Sequence, residues 1–210
     1  MQPYYASAEP ETKDWMCDYI LPDWTVFDVG AHIGQFTMLM SLKALYGEVY
    51  AFEPSEVSRK MLSANMAHND GKWGHRFTNV HLFPLAVGDK SGRGLKETLW
   101  LTDGTDQYGK TTAEFDMTTL DDFCLTHNMV QRVDFIKCDV DGWDYEVLLG
   151  AQKVLERFRP YLIVECNYAM GWRGHTQADL EQILSKYNYQ HKVIDPTPCN
   201  WLCWPEEKDI

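Results

Sequence analysis

The chain has 210 residues, of which 45% are hydrophobic and 24% charged, and this composition excludes a disordered or low-complexity protein. Its length is sufficient for one domain with a continuous core. The net charge of -12 argues against binding to nucleic acid or to an anionic membrane surface, because both require clustered Lys and Arg. A small or neutral ligand fits this charge better.

We find no pattern in the sequence that is typical of a targeting signal or of a membrane-spanning segment. The longest apolar runs, such as YLIVEC at 161–166, have the length of a strand rather than of a membrane span. The N-terminus has neither the basic nor the apolar part of a secretory signal, and the six cysteines form no C-x-x-C pair. We therefore expect a cytoplasmic protein with reduced thiols and no transmembrane segment.

Predicted strands and helices alternate along the chain. Helical patterns cover 10–20, 35–46, 55–69, 121–128, 145–158 and 177–187. Strand patterns cover 25–29, 48–52, 80–87, 134–140 and 161–166, and two further runs, 189–194 and 201–204, flank the turn-forming DPTPCN. The stretch 89–110 is expected to be irregular with a short strand at 98–101, before an extended segment at 113–117.

This alternation predicts an α/β fold with a mostly parallel sheet covered on both faces. The terminal hairpin makes one strand antiparallel, so we expect a Rossmann-like, doubly wound, seven-stranded sheet with an antiparallel C-terminal hairpin strand. We expect a single domain over 1–210, with an N-terminal helical segment at 1–23, a core at 24–167, and a ligand-side loop, helix and hairpin at 168–210.

A glycine loop follows the first predicted strand in VFDVGAHIGQFT, 26–37. Gly30 and Gly34 lie four residues apart without a third glycine, and Asp28 precedes them by two residues. A dinucleotide loop needs the third glycine, and a carboxylate here would repel a pyrophosphate. Asp28 instead suits a ligand that carries positive charge, such as S-adenosylmethionine.

A second acid, Glu53, ends the next predicted strand, nineteen residues after Gly34. An acid at this place can accept hydrogen bonds from both hydroxyls of a ribose. Taken singly, Asp28 could brace the loop or cap the helix, and Glu53 could be a solvated strand end. Their joint placement favours a nucleoside site.

A third group of charges stands at the end of the strand predicted over 134–140. Lys137, Asp139, Asp141 and Asp144 follow one another there, and the first three share a face if the extended conformation reaches residue 141.

Three stretches give the chain a clear resemblance to class I S-adenosylmethionine-dependent methyltransferases of the FkbM type. They are VFDVGAHIGQFT, TTLDDF at 118–123, and IKCDVDGWDYEVLLGAQKVLERFRPYLIVE at 136–165. This chain has His32 where Asn is commoner in the family, and Asp141 and Asp144 where Glu is commoner. The resemblance implies O-methylation of small hydroxylated molecules, including sugars.

The methyl-donor site is assigned to the residues of the glycine loop and of three strand ends. These are Asp28, Gly30, Ala31, His32, Gly34, Glu53, Pro54, Ala86 and Asp139. His32 has three open roles, as a hydrogen-bond partner of the donor, as a base, or as a brace of its own loop.

Transfer to a hydroxyl requires removal of its proton, and two arrangements can supply this. In the first, Asp139 or Asp141 accepts the proton and Lys137 stabilises the developing oxyanion, unless Lys137 only forms an ion pair at the strand end. In the second, a divalent cation such as Mg²⁺, held by Asp139, Glu165 and Asn167, lowers the pKa of the hydroxyl.

The acceptor side is assigned to the loop after the strand at 161–166. Trp172 is predicted to stack on an acceptor ring and Arg173 to hold an acidic group, unless the two anchor a surface loop. Two other functions remain open: a nucleoside-binding module of this fold without turnover, and an NAD-dependent dehydrogenase, against which Asp28 and the missing glycine count. The partner is expected to be a small-molecule or sugar acceptor; its identity and the oligomeric state are open.

Overall fold

A computed structural model describes residues 9–102, 108–126, 130–197 and 199–209. The helices in these ranges are α1 (Pro10–Tyr19), α2 (Gln35–Lys43), α3 (Glu56–Asn69), α4 (Leu120–Thr126), α5 (Asp144–Leu149), α6 (Gln152–Phe158) and α7 (Gln177–Lys186). The strands are β1 (Thr25–Val29), β2 (Glu48–Phe52), β3 (Val80–Phe83), β4 (Ala86–Val87), β5 (Gly92–Thr102), β6 (Tyr108–Thr118), β7 (Phe135–Cys138), β8 (Tyr161–Glu165), β9 (Tyr189–Asp195) and β10 (Asn200–Pro205).

The main sheet has seven strands in the order β3-β2-β1-β7-β8-β10-β9. All neighbours are parallel except β10, which runs antiparallel to both β8 and β9. This confirms the predicted α/β fold, including the antiparallel strand of the C-terminal hairpin. The strand order reverses beside β1, so the loop after β1 lies at the switch point where open parallel sheets bind ligands.

Both faces of the sheet are covered, because successive side chains of a strand point to opposite sides. In β1, Val26 packs against Trp15 and Met40 of the helices α1 and α2. Phe27, the next residue, joins the opposite cluster with Phe123 of α4. The helices α5, α6 and α7 add their buried side chains to that second cluster.

Within the segment expected to be irregular, 89–110, the described residues 92–102 and 108–110 form regular strands instead. β5 and β6 form a long antiparallel hairpin, and β4 adds to it in parallel as a third strand. Leu99 and Phe115 are buried under this hairpin, although Gly, Asp and Lys dominate the sequence around it. The strand predicted over 80–87 consists of two strands, β3 and β4. They are separated at Pro84, which has no N–H to donate to a neighbouring strand.

Several predicted boundaries were wrong by a few residues. The helix expected over 145–158 is divided at Gly150, where a Cβ would lie 2.0 Å from the backbone oxygen of Gly88. The helix expected to reach residue 46 ends at Lys43, and the strand expected to reach residue 140 ends at Cys138. Residues 127–128 of the predicted fourth helix, and the first eight residues of the N-terminal segment, lie outside the described ranges.

No helix in the described part of the chain combines the length and the apolar character needed to cross a membrane. The cytoplasmic location stays a prediction.

Candidate active site

The glycine loop joins β1 to α2 and packs directly on the end of β7. Gly30 and Gly34 have φ values of 87° and 89°, which side chains other than hydrogen rarely allow. A Cβ on Gly30 would lie 1.9 Å from the backbone oxygen of Asp139. Only glycine therefore permits this approach between the loop and the strand.

The N–H groups of Gly30, Ala31 and His32 in the loop already have partners within the protein. Gly30 and Ala31 both donate to the carbonyl oxygen of Phe52, at 3.0 Å each, and His32 donates to Oε2 of Glu53 at 2.9 Å. A pyrophosphate site of the dinucleotide type depends on such groups pointing at the ligand. This loop is thus built for a ligand other than a pyrophosphate.

Asp28 lies beneath the loop, and its side chain has one unsatisfied oxygen. The residue is 1% exposed, and its Oδ2 accepts a hydrogen bond of 2.5 Å from Oγ1 of Thr37. Oδ1 has no hydrogen-bond partner among the described residues. Burial raises the pKa of Asp28, while the charge of Lys137 opposes the shift. An orphaned buried carboxylate oxygen fits a donor that carries positive charge.

Glu53 stands at the end of β2, on the other side of the loop. Its Oε1 accepts from the N–H of Ser55 at 2.8 Å, so both carboxylate oxygens bind backbone donors. Burial raises the pKa of Glu53, and these two hydrogen bonds oppose the shift. Each oxygen keeps a second lone pair, so bracing the loop and binding a ribose are compatible.

The other residues assigned to the donor surround this pair. His32 is partly buried with a φ of 49°, and burial lowers the pKa of its imidazole, which favours the neutral form. Pro54 is partly buried beside Glu53. Ala86 begins β4 and packs against Trp143 in the cluster beneath the hairpin. Their contacts with a donor stay predictions.

Lys137 and Asp139 form an ion pair at the end of β7. Nζ of Lys137 lies 2.6 Å from Oδ2 of Asp139 and 4.3 Å from the ring centre of Phe36. The lysine side chain is 2% exposed and the aspartate side chain 25%. Burial lowers the pKa of Lys137, but the charges of Asp139, Glu9 and Asp28 outweigh it and raise the pKa above its ordinary value. The lysine is therefore a buried cation beneath a partly exposed carboxylate.

The shared face of residues 137, 139 and 141 was expected only if the extended conformation reached residue 141, and this condition is not met because the strand ends at Cys138. Asp141 lies in a turn with a φ of 52°, and burial and then the charge of Glu53 raise its pKa to about 6. Asp144 stabilises this turn from below. Its carboxylate accepts from the N–H of Gly142 at 3.2 Å and from Sγ of Cys138 at 3.3 Å.

The residues predicted to hold Mg²⁺ do not fit that role. Burial and then the charge of Asp139 raise the pKa of Glu165 to about 11, so its carboxyl is protonated at neutral pH. Oδ1 of Asn167 accepts a 2.7 Å hydrogen bond from the N–H of Ala169. In the described ranges, no group of three or more His, Cys, Asp and Glu residues is arranged to hold a metal ion. Hard cations bind ionised carboxylate oxygens, whereas in this set the Glu165 carboxyl holds a proton and Asp139 is paired with Lys137.

Two exposed aromatic side chains rise above this edge from the 3-10 turn Tyr168–Arg173, which follows β8. Tyr168 is 78% exposed and Trp172 46%, and their rings meet edge to face at 5.2 Å. Nζ of Lys110, from β6, lies 4.6 Å from the centre of the Trp172 ring. Trp172 therefore lies between the turn and the hairpin, at the place expected for an acceptor.

Arg173 links three elements rather than pointing freely into the cleft. Its guanidinium lies 3.4 Å above the Trp143 ring, and its Nε donates to Oε1 of Glu146 in α5. His175 also approaches this oxygen, at 3.3 Å, and Nε1 of Trp143 donates to the carbonyl of Thr98 in β5. An acidic group of an acceptor would have to compete with Glu146 for Arg173.

Sequence reasoning missed three contributors to this site. Thr37 is the last residue of the motif VFDVGAHIGQFT and donates a hydrogen bond to Asp28. Its hydroxyl, in the first turn of α2, was the signal that the sequence offered. Trp143 and Glu146 lie within the stretch that carries the family resemblance, three residues apart on one helix start. The hairpin of β5 and β6, which Trp143 contacts, was not recognised from any pattern in the sequence.

Comparisons with known proteins agree with this geometry. The family described as Methyltransferase FkbM domain matches residues 28–191. Methyltransferase sdnD of Sordaria araneosa is 26% identical over 184 aligned residues, which cover 74% of this chain and 71% of that protein.

Solved structures share the fold. Methyltransferase FkbM from Methylobacillus flagellatus KT has a TM-score of 0.59 and 18% identity, over 86% of this chain, and this chain spans only 44% of the length of that structure. SMU.1697c from Streptococcus mutans, in complex with SAH, has a TM-score of 0.54 and 12% identity, and the match covers 91% of this chain and 93% of that one.

The sheet order, the acid-flanked loop and these matches define an S-adenosylmethionine-dependent methyltransferase. Within that class, the chain belongs to the FkbM methyltransferase domain family.

Proposed function

We propose that the protein transfers the methyl group of S-adenosylmethionine to a hydroxyl oxygen of a small molecule or a sugar. The observation that carries the proposal is the carboxylate of Asp139, which is partly exposed, ion-paired with Lys137, and adjacent to Gly30 of the donor loop. A base within reach of the donor is needed for an alcohol, which must lose its proton on methylation.

The residues of the loop fit the donor. When bound, S-adenosylmethionine supplies an electrophilic methyl group on a sulfonium. Asp28 offers a buried carboxylate oxygen without a partner among the described residues, and Glu53 offers lone pairs to a ribose. The loop from Asp28 to Phe36 carries no Lys or Arg, which agrees with a cationic rather than an anionic ligand.

Asp139 is proposed as the group that accepts the hydroxyl proton. Lys137 acts through it, because a side chain that is 2% exposed beneath Asp139 holds that carboxylate in a fixed orientation and does not reach an acceptor oxyanion. This replaces the direct oxyanion contact predicted from the sequence. Asp141 is the second candidate for the base, since its pKa of about 6 lies close to the working pH.

The acceptor is proposed to lie between the hairpin and the 3-10 turn, against Trp172. An exposed aromatic ring offers a flat apolar surface to a ring or a sugar face, and the net charge of -12 disfavours a nucleic-acid acceptor. Oxygen is favoured over a neutral nitrogen, because a neutral amine can attack before it loses a proton and so depends less on Asp139.

The test is a transfer assay with methyl-labelled S-adenosylmethionine and a panel of hydroxylated small molecules, sugars, amines and RNA, each with and without a chelator. We expect label on a hydroxyl compound, unchanged by the chelator and lost in Asp139→Asn. Glu56→Gln, which alters an exposed ion pair with Lys60, is the matched control and should keep full activity. Label on amines or RNA alone contradicts the proposal, and donor binding without any transfer favours the binding module.

A further inference from the structure

A polar cluster outside the family match ties the two ends of the described chain together. Asp195, at the end of β9, accepts from the N–H of Thr12 at 2.9 Å and from its Oγ1 at 2.5 Å. Nδ2 of Asn200, at the start of β10, donates to Oε2 of Glu9 at 2.8 Å and to Oγ1 of Thr12 at 3.1 Å. The family match covers 28–191, so it contains none of these residues.

Glu9 extends this cluster to the active site. The charges of Lys137 and Asp139 both act on its carboxyl, although burial is the larger influence and raises its pKa. Glu9 also has a φ of 52°, an uncommon backbone conformation for a residue with a side chain. Asn200, which donates to this carboxylate, pairs with Glu165 at the end of β8, the strand beside β7 on which the ion pair stands.

Carboxylates outnumber cations at this point. Asp28, Asp139 and Glu9 all act electrostatically on the ammonium of Lys137, and Glu9 also acts on the partly exposed Lys13, so three carboxylates face two ammonium groups. One oxygen of Asp28, a residue that is 1% exposed, has no partner among the described residues. An excess of buried negative charge together with an orphaned acceptor indicates a cationic ligand group at this spot.

The sheet order tells which part of the donor would lie here. Glu53 stands on β2, the glycine loop follows β1, and the Lys137–Asp139 pair lies on β7. A donor with its ribose at Glu53 and its centre at the loop therefore directs its amino-acid end toward β7. That end carries an ammonium group.

We propose that Glu9 belongs to the donor pocket and accepts a hydrogen bond from the α-ammonium group of the donor's amino-acid end. Asn200 is the positioning residue that orients the Glu9 carboxylate. The proposal rests on the proposed function, since it presumes that S-adenosylmethionine is the donor. It assigns a binding role to a residue that precedes the family match.

The test compares two ligands that differ only at the amino-acid end. S-adenosylhomocysteine carries the ammonium group, whereas 5′-methylthioadenosine has the same nucleoside without it. The variant is Glu9→Gln, which keeps the length of the side chain and an oxygen for Asn200 but loses the charge. Asp18→Asn, which removes an exposed negative charge near the other end of α1, is the control.

Calorimetric titration should give about tenfold or greater weakening of S-adenosylhomocysteine binding in Glu9→Gln, because a charged hydrogen bond is lost. Binding of 5′-methylthioadenosine should be unchanged, and Asp18→Asn should match the parent for both. Equal weakening of both ligands would assign Glu9 a purely structural role and overturn the proposal, as would no weakening at all. Failure of the parent protein to bind S-adenosylhomocysteine would instead refute the proposed function.

If Glu9→Gln unfolds, Asn200→Ala provides the second measurement. It keeps the Glu9 charge but removes the hydrogen bond that orients it, so we expect a smaller loss confined to S-adenosylhomocysteine. A loss shared equally by the two ligands would again contradict the proposal.

Discussion

The donor side and the acceptor side of the active site are held together in different ways. On the donor side, Gly30 touches the backbone of Asp139, and the loop N–H groups bind Phe52 and Glu53 within one compact unit of β1, β2 and β7. On the acceptor side, Arg173, Trp143 and Lys110 join a turn, a helix start and a hairpin mainly through their side chains, although Gly142 also packs closely on the backbone of Ala169.

This difference separates what a methyltransferase must keep from what it can vary. Backbone contacts hold the donor loop against β7, where a Cβ on Gly30 would overlap a backbone oxygen. Side-chain contacts between distant elements change with single substitutions, and loops on a rigid scaffold commonly carry specificity. Donor binding should therefore be sensitive to backbone changes, and acceptor choice to changes of single side chains.

Gly30→Ala should have the largest effect. The new Cβ would lie 1.9 Å from a backbone oxygen, at a φ of 87°, so the loop must move away from β7. We expect donor affinity to fall by about 1,000-fold or more, measured by calorimetry. Gly74→Ala is the matched control, because Gly74 also has a positive φ of 72° but nothing within 4 Å of its Cβ position. Similar losses in both variants would show that strain, not the contact with β7, sets the effect.

Asp139→Asn should come next and should separate chemistry from binding. Removing the proposed base is expected to lower kcat by about 100-fold or more, with donor affinity changed much less. The measurement is steady-state kinetics beside donor titration. A variant that keeps its kcat would transfer the role of base to Asp141.

Asp141→Asn tests a residue that lies between the donor side and the acceptor side. The folded pKa of about 6 exceeds the ordinary 3.8, so the folded protein holds a proton that the unfolded chain releases between these values. Stability from this group is therefore present below about pH 4 and declines until about pH 6, by up to about 3 kcal/mol. Asn also tolerates the left-handed backbone.

Thermal melts should accordingly show a Tm several degrees higher for Asp141→Asn at pH 7.5, and little change at pH 4. Asp89→Asn, at an exposed position, should alter neither melt. A uniform shift at both pH values would contradict the assigned burial of Asp141. If Asp141→Asn also lost an inflection near pH 6 in the pH profile of kcat/KM, this would indicate that Asp141 takes part in proton transfer.

Trp172→Ala should have the smallest and most selective effect. Loss of the aromatic surface is expected to raise the acceptor KM about tenfold, while the donor affinity stays constant. Tyr46→Ala removes an aromatic ring that is 85% exposed at the end of α2 and should change neither quantity. An effect of Trp172→Ala on donor binding would remove the distinction between the two sides.

The donor side could be predicted from the sequence because its parts are local. Asp28, Gly30 and Glu53 follow from strand ends and one loop, so spacing alone placed them correctly around β1 and β2. The turn at Asp141 could not be predicted, because the alternation of apolar and acidic residues continues to Asp141 although the strand itself ends at Cys138.

The acceptor side depends on contacts that no local pattern encodes. The sequence suggested that Arg173 could bind an acidic group of the acceptor. In the structure it contacts Trp143 and Glu146, and Glu146 lies 27 residues away along the chain. Glu165 looked like a metal ligand, but burial among other carboxylates raises its pKa to about 11. Such effects arise only once distant residues have been brought together.

The central claim is that the acid-flanked loop binds a cationic methyl donor rather than a dinucleotide. The most direct test is calorimetric titration of the parent protein and of Asp28→Asn with S-adenosylmethionine and with NAD. We predict binding of S-adenosylmethionine only, weakened about tenfold or more in Asp28→Asn, because the buried carboxylate loses its charge. Binding of NAD, or an affinity for S-adenosylmethionine that does not depend on Asp28, would contradict it.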